Sequence, residues 1–230
     1  RSEQAGVYLY AGAKATIEDN EVRGNAGPGI LITEKADPLV QRNDIHSGDD
    51  AGVLAHEQGL GTVLHNNVYN NRTFGVVVLT GGRTVLRANW LHGRRQGGLL
   101  VDEGGMPEVF ENDIEGNTKA GIMLRGACTP HIHHNKVHHG RDAGIHCTEG
   151  AGGTIEENDV YENEHAGIGV EKGAAPLIRR NRIYNGKQAG AFYFDGGLGT
   201  FEENEVWGNE DAGVQIIEAS NPLVQRNQLR

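Results

Sequence analysis

The chain is poor in the residues that usually anchor a small fold or a reaction. It has two cysteines, Cys128 and Cys147, among 230 residues, too few for a disulfide framework and wrongly spaced for a CxxC site. So little cysteine fits a reducing interior, so cytoplasm or nucleus is expected rather than secretion. Prolines number six, and aromatic residues make up only 6%. No apolar run is long enough for a transmembrane helix, and no basic-then-apolar segment reads as a signal peptide, so no membrane partner is expected. Cationic residues are also short: 21 Lys and Arg face 31 Asp and Glu, a net charge of −10. Phosphate binding needs the opposite balance, which argues against nucleic acid. The chain opens on Arg1 rather than Met, so a piece of a longer protein is expected.

Glycine, in contrast, is abundant at 35 residues, about twice ordinary usage, and it is not scattered. Gly6, Gly29, Gly52, Gly75, Gly98, Gly121, Gly144, Gly167, Gly190 and Gly213 each stand 23 after the last. Fourteen beyond each glycine is an asparagine: Asn20, Asn43, Asn66, Asn89, Asn112, Asn135, Asn158, Asn181, Asn204 and Asn227. Residues 1–230 therefore read as one domain, an array of ten 23-residue units. Apolar columns begin at Val7, Leu9, Ile17 and Val22 and repeat down the array. The spacing of two between Val7 and Leu9 is strand alternation with one face buried. These columns predict an all-β fold, a right-handed parallel β-helix of ten coils with three short strands per coil. No unit could bury its own apolar residues alone. The rod would be roughly 48 Å long at ~4.8 Å per coil. A leucine-rich-repeat horseshoe is the alternative, but the side where it needs a leucine-bearing helix reads "GNAGP" or "ENEHA" here.

In stacked coils an asparagine amide can donate and accept along the axis, so the ten asparagines are expected to form a structural ladder. Asn25, Gly48, Asn71, Asn117, Gly140, Asn163, Gly186 and Asn209 form a second column, with Arg94 the exception, expected to be a left-handed turn in each coil. Charges around the ladder alternate between coils: Glu156, Glu157 and Asp159, then Arg179, Arg180 and Arg182, then Glu202, Glu203 and Glu205. Opposite charges one strand apart attract, and a slip of one coil would set acid on acid.

Candidate sites must rise above this regularity. "HIHHNKVHH" (His131 to His139) suggests zinc or nickel. The simpler reading is a basic coil between acidic ones, so neither metal nor cofactor is expected. Asp49 and Asp50 fall in a turn where acids recur, and coils of equal length build no cleft wall, so no catalytic residue is assigned. Two outward columns are expected to hold a protein partner's side chains or to stack on sugars. One is an apolar stripe of Tyr8, Leu31, Leu54, Val77, Leu100 and Met123, whose exposure would be an unusual patch. The other is an aromatic and imidazole column (His46, Tyr69, His92, His138) that runs on through Tyr161, Tyr184 and Trp207.

The couplet "GGTIEENDVYENEHAG" and "PLIRRNRIYNGKQAG" resembles the β-helix repeats of F-box-only ubiquitin-ligase substrate receptors. The same repeat class occurs in carbohydrate-binding and sugar-hydrolase domains and in periplasmic copper-site maturation proteins. Pro38, Pro130, Pro176 and Pro222 fit the 46-residue couplet; Thr84 and Pro107 break it. The resemblance implies a non-catalytic β-helix that captures a target protein for ubiquitination. A structural rod in a large assembly such as a cytoskeletal array, and a glycan-binding or glycan-cleaving module, are the alternatives. Enzymatic activity is left open.

Overall fold

Each 23-residue unit makes one turn of a solenoid. The first unit has strands at Val7–Leu9, Thr16–Glu18 and Glu21–Arg23, and three strands recur in every later unit. This is a computed structural model, and it describes residues 5–93 and 97–230. First strands form one ten-stranded sheet, second strands another and third strands a third. Every pairing is parallel and one repeat apart, as in Val7↔Ile30, Thr16↔Leu39 and Glu21↔Asp44. No helix occurs among the described residues. The expected β-helix is what the chain builds, and the horseshoe is excluded because residues 24–28 and 162–166, where it would need a helix, are short turns between strands.

The apolar columns fill the interior. Ile30, Val53, Val76, Leu99, Ile122 and Ile145 are fully buried, and the columns through Val40 and Ile45 are buried alike. Each such side chain contributes roughly 1.5–3 kcal/mol, so the stack of methyl groups dominates stability. Both cysteines belong to this core as free thiols. Burial pushes the Cys128 thiol up to about 11 and Cys147 higher still, which leaves them unreactive. The glycine column has a steric reason: a Cβ on Gly144 would sit 2.6 Å from Val160 Cγ1 and 2.8 Å from the Gly167 carbonyl oxygen.

The asparagine ladder runs along the axis from Asn20 to Asn227. Asn135 donates from its backbone N–H (2.9 Å) and its Nδ2 (3.0 Å) to Asn158 Oδ1. Asn158 in turn donates to Asn181 Oδ1 at 3.0 Å from both groups. Interior members are at most 2% exposed, and each is satisfied by the next, as buried amides must be.

The second asparagine and glycine column corrects the turn expectation. Its members do not have positive φ; that conformation belongs to the residue before each, as in Gly24, Ser47, Asn70 and His139. The column is instead a set of coil-to-coil clasps. Asn163 Oδ1 accepts the Gly140 N–H at 3.0 Å and its Nδ2 donates to the Val137 carbonyl at 3.0 Å. A Cβ on Gly140 would stand 3.0 Å from that oxygen, which is why the column alternates. A second left-handed residue precedes every ladder asparagine, from Asp19 (φ 56°) to Arg226 (φ 55°). It turns the chain between the second and third strands.

The charge alternation is realised in ion pairs. Arg179 Nε lies 2.7 Å from Glu156 Oε2, Arg182 Nε 2.5 Å from Asp159 Oδ1, and Arg180 also contacts Glu156. The pattern reaches the first coils, where Arg42 clasps Glu18 and Asp19 at 2.8 and 2.9 Å. Exposed pairs are worth about 0–1 kcal/mol each, so they select register. The couplet of glycine and proline coils is explained by packing: Gly153 (φ 88°) lies against Pro130, whose carbonyl oxygen would be 2.4 Å from an added Cβ.

Candidate functional site

The outward columns decide where this rod can meet another molecule. In the apolar stripe Tyr8 is 48% exposed and Val77 only 7%. Leu31, Leu54, Leu100 and Met123 are half-buried. Each is covered by its register partner in the next coil, as Leu31 is by Leu54 and Leu100 by Met123. The stripe therefore forms a smooth, self-packed surface with little left to offer. The aromatic column behaves in the same way. His138, Tyr161, Tyr184 and Trp207 stack face to face at 4.6, 5.0 and 4.5 Å, so most ring faces are occupied by each other and only edges point outward. Burial, aided by neighbouring Tyr184 and Asp113, raises the Tyr161 hydroxyl to about 12.

The stripe changes character beyond Met123. Its next members are His146, Gly169 and Phe192, joined in register. Gly169 has no side chain, and a Cβ there would meet only His146 Cδ2 at 3.5 Å and Phe194 at 4.0 Å. The missing side chain opens a notch of about 150 Å³ lined by His146, His165, Gln188, Phe192, Phe194 and Asp142. Phe192 and Phe194 stack on each other at 4.7 Å and form an apolar wall.

Polar groups rim this wall. Asp142 Oδ1 accepts from the Ala143 N–H at 2.8 Å and lies 2.9 Å from His165 Nδ1. Two residues past Gly169 comes Glu171, one of two buried carboxylates among the described residues, the other being Asp102. Glu171 Oε1 accepts from Thr148 Oγ1 at 2.8 Å and faces His146 Nε2 at 3.4 Å and Lys172 Nζ at 3.5 Å. Asp102, further along the same edge, is held by Arg125 Nε at 2.5 Å and by the Glu103 N–H at 2.7 Å. An apolar ring face beside fixed carboxylates and imidazoles suits a ligand with one apolar face and many hydroxyls. Sequence reading ended the stripe at Met123. The signal it passed over was a glycine in an outward column followed by two phenylalanines.

The sequence matches the family described as right handed beta helix region over residues 1–137 and again over 98–229. The chain belongs to this family. Among solved structures, this right-handed β-helix resembles the A-module of the mannuronan C-5 epimerase AlgE6 from Azotobacter vinelandii. That match has a TM-score of 0.77 at 20% identity, covering 93% of this chain and 63% of the other. The periplasmic alginate epimerase AlgG matches with a TM-score of 0.80 at 14% identity, over 96% of this chain and 61% of its own. The catalytic unit of a thermostable α-1,3-glucanase from Streptomyces thermodiastaticus matches at 0.62 and 13%, over 91% and 48%. At such identities the likeness is one of fold, and the chain spans about three fifths of the length of the two epimerases.

These matches correct the F-box expectation. The proteins that share this β-helix over at least 91% of the chain are polysaccharide enzymes by description, not ligase receptors. The physical reason is plain in the structure. The residues that carried the resemblance, the asparagine ladder and the glycine–proline couplet, make contacts within the solenoid and so report the scaffold alone. The protein partner expected from that resemblance has no support in these matches. No helix among the described residues is long and apolar enough to cross a membrane.

Proposed function

We infer that this β-helix binds a glycan across its first sheet, with a sugar ring seated at the Gly169 notch. The observation that carries the reading is the Phe192–Phe194 wall flanked by the Asp142–His165 pair and by His146, with Glu171 buried behind His146. Aromatic faces take the C–H face of a sugar, while carboxylates held by imidazoles accept its hydroxyls. The matched folds support it, since they belong to enzymes of alginate and α-1,3-glucan. The net charge of −10 and the acidic rim oppose a polyanion, so a neutral glycan is the favoured class.

The test is titration calorimetry with soluble α-glucan, β-glucan, alginate and polygalacturonate oligosaccharides. A neutral oligosaccharide should bind, and Phe192→Ala with Phe194→Ala should weaken it about tenfold or more. That follows from ~0.5–1.5 kcal/mol per aromatic contact. Binding of none of these glycans, or equal binding by the double variant with its circular dichroism unchanged, overturns the reading. The imidazole–carboxylate pairs also favour acid–base chemistry at the same notch. Release of reducing ends that Glu171→Gln abolishes while binding persists would establish it.

A further inference from the structure

The histidine-rich coil reads in sequence as one half of a charge alternation, with no metal. Its side chains carry more information than that. His138 ends a third-sheet strand, and His139 follows it in the left-handed conformation (φ 54°). His138 Nε2 lies 2.7 Å from Asp113 Oδ1, and His139 Nε2 lies 2.6 Å from Glu162 Oε2. Asp113 stands in the coil before and Glu162 in the coil after, so the two rings are held from opposite sides. A nitrogen facing a carboxylate keeps its proton, which leaves Nδ1 of each neutral ring as a bare lone pair. The two Nδ1 atoms converge to 2.6 Å. Two lone pairs at that distance repel unless a cation lies between them or one ring takes up a proton.

A third donor is already in place. Glu115 is the register partner of His138 one coil earlier, and its carboxylate and the two imidazoles bring ligand atoms within 4.8 Å of one another. Trp90 Nε1 donates to Glu115 Oε2 at 3.3 Å, which orients the carboxylate. We propose that Glu115, His138 and His139 form a site for a divalent transition metal, with zinc the first choice. Asp113 and Glu162 act as the outer carboxylates that fix each imidazole.

The chemistry matches on three counts. Two imidazoles and one carboxylate are a known zinc donor set, with further positions left to solvent or ligand. A carboxylate on the far nitrogen of each ligating histidine is the usual support for such a metal. Nitrogens on one tetrahedral zinc lie roughly 3.3 Å apart at about 2.0–2.1 Å per bond, so the pair, now 2.6 Å apart, need separate by about 0.7 Å. His139 is half exposed and free to make that move. The open positions would face a groove of about 420 Å³ lined by Trp90, His92, Arg141 and Glu164. A second grouping, Glu108 with His131 and His133, is the weaker candidate. His133 Nε2 has only Glu108 at 3.6 Å, so one of its two imidazoles lacks the close outer carboxylate.

The experiment titrates Zn²⁺ into the full chain at pH 7.5 against a chromophoric chelator, with Co²⁺ substituted for its visible spectrum. One equivalent should bind. Glu162→Gln should weaken affinity about 10–100-fold, and His139→Asn or Glu115→Gln by more, each shifting the Co²⁺ bands. Asparagine tolerates the left-handed conformation at 139, and thermal melts check that each variant is folded. His131→Gln should leave affinity unchanged. The proposal is overturned by absence of stoichiometric binding, or by binding that His131→Gln removes and His139→Asn spares.

Discussion

Replacing Asn158 with alanine tests the ladder where it is most fully formed. Asn158 Oδ1 accepts two bonds from Asn135, and its Nδ2 donates to the carbonyls of Ile132 and Glu156 and to Asn181 Oδ1, all at 2.9–3.0 Å. Some partners survive the change. Asn135 Nδ2 keeps the carbonyls of Val109 and His133, and Asn181 Oδ1 keeps the backbone N–H of residue 158. The Asn135 backbone N–H is orphaned in the interior, and the Ile132 carbonyl loses a donor. At ~1–3 kcal/mol for the unsatisfied N–H and ~0.5–1.5 kcal/mol for the bond lost at the carbonyl, the loss is about 2–4 kcal/mol. For a chain of this size that corresponds to roughly 5–15 °C in Tm. Asn20→Ala is the matched control. Asn20 is exposed and donates to Asn43 Oδ1, which its backbone N–H also reaches, so removing its amide orphans nothing buried and should cost less than ~1 kcal/mol. Urea unfolding followed by far-ultraviolet circular dichroism, fitted with nearest-neighbour coupling between coils, gives both values. Equal losses at the two positions would refute the account of the ladder as a chain of mutually satisfied amides.

Three further outcomes follow from the same structure. Gly169→Val should fill the notch without strain, since its added Cβ makes ordinary contacts; glycan binding should fall below detection in calorimetry while Tm is kept or raised. Burial works to raise the Glu156 carboxyl, yet hydrogen bonds from Arg179 and His131 outweigh it and hold it at about 2 against an ordinary 4.5. Its stabilisation is therefore complete above pH 4.5 and lost as pH falls toward 2, so Glu156→Gln should flatten the acid-unfolding curve in that window. Tyr193 is fully buried with no partner for its hydroxyl among the described residues, and Tyr193→Phe should stabilise by about 1 kcal/mol in chemical denaturation; a loss of similar size would show that the hydroxyl is satisfied in solution.

The solenoid was legible because a fixed repeat turns spatial neighbours into sequence neighbours one period apart. Reading down a column at Val40 or Asn158 is reading along the axis of the rod. What stayed hidden depends on single residues rather than columns. The left-handed residue before each ladder asparagine is Asp19, Arg42, His65 or Ala88 in successive coils, and no shared chemistry marks it. The clasp at Asn163 and Gly140 looked like a turn because asparagine and glycine serve both purposes. The notch arises where one outward side chain is missing, at Gly169, and the imidazole convergence at His138 and His139 depends on side-chain rotation. The functional expectation drew on the columns, which record packing; the sites lie where the columns are interrupted.

Inter-coil hydrogen bonds such as Asn135 to Asn158 run parallel to the rod, and that orientation governs how it would yield to tension. Force applied along the axis loads the bonds of one terminal turn at a time, as in opening a zipper, rather than shearing a whole sheet. Each released turn of 23 residues would lengthen the chain by roughly 75 Å. The rod would then give way in even, low-force steps, and could take up large extensions while its middle stays folded.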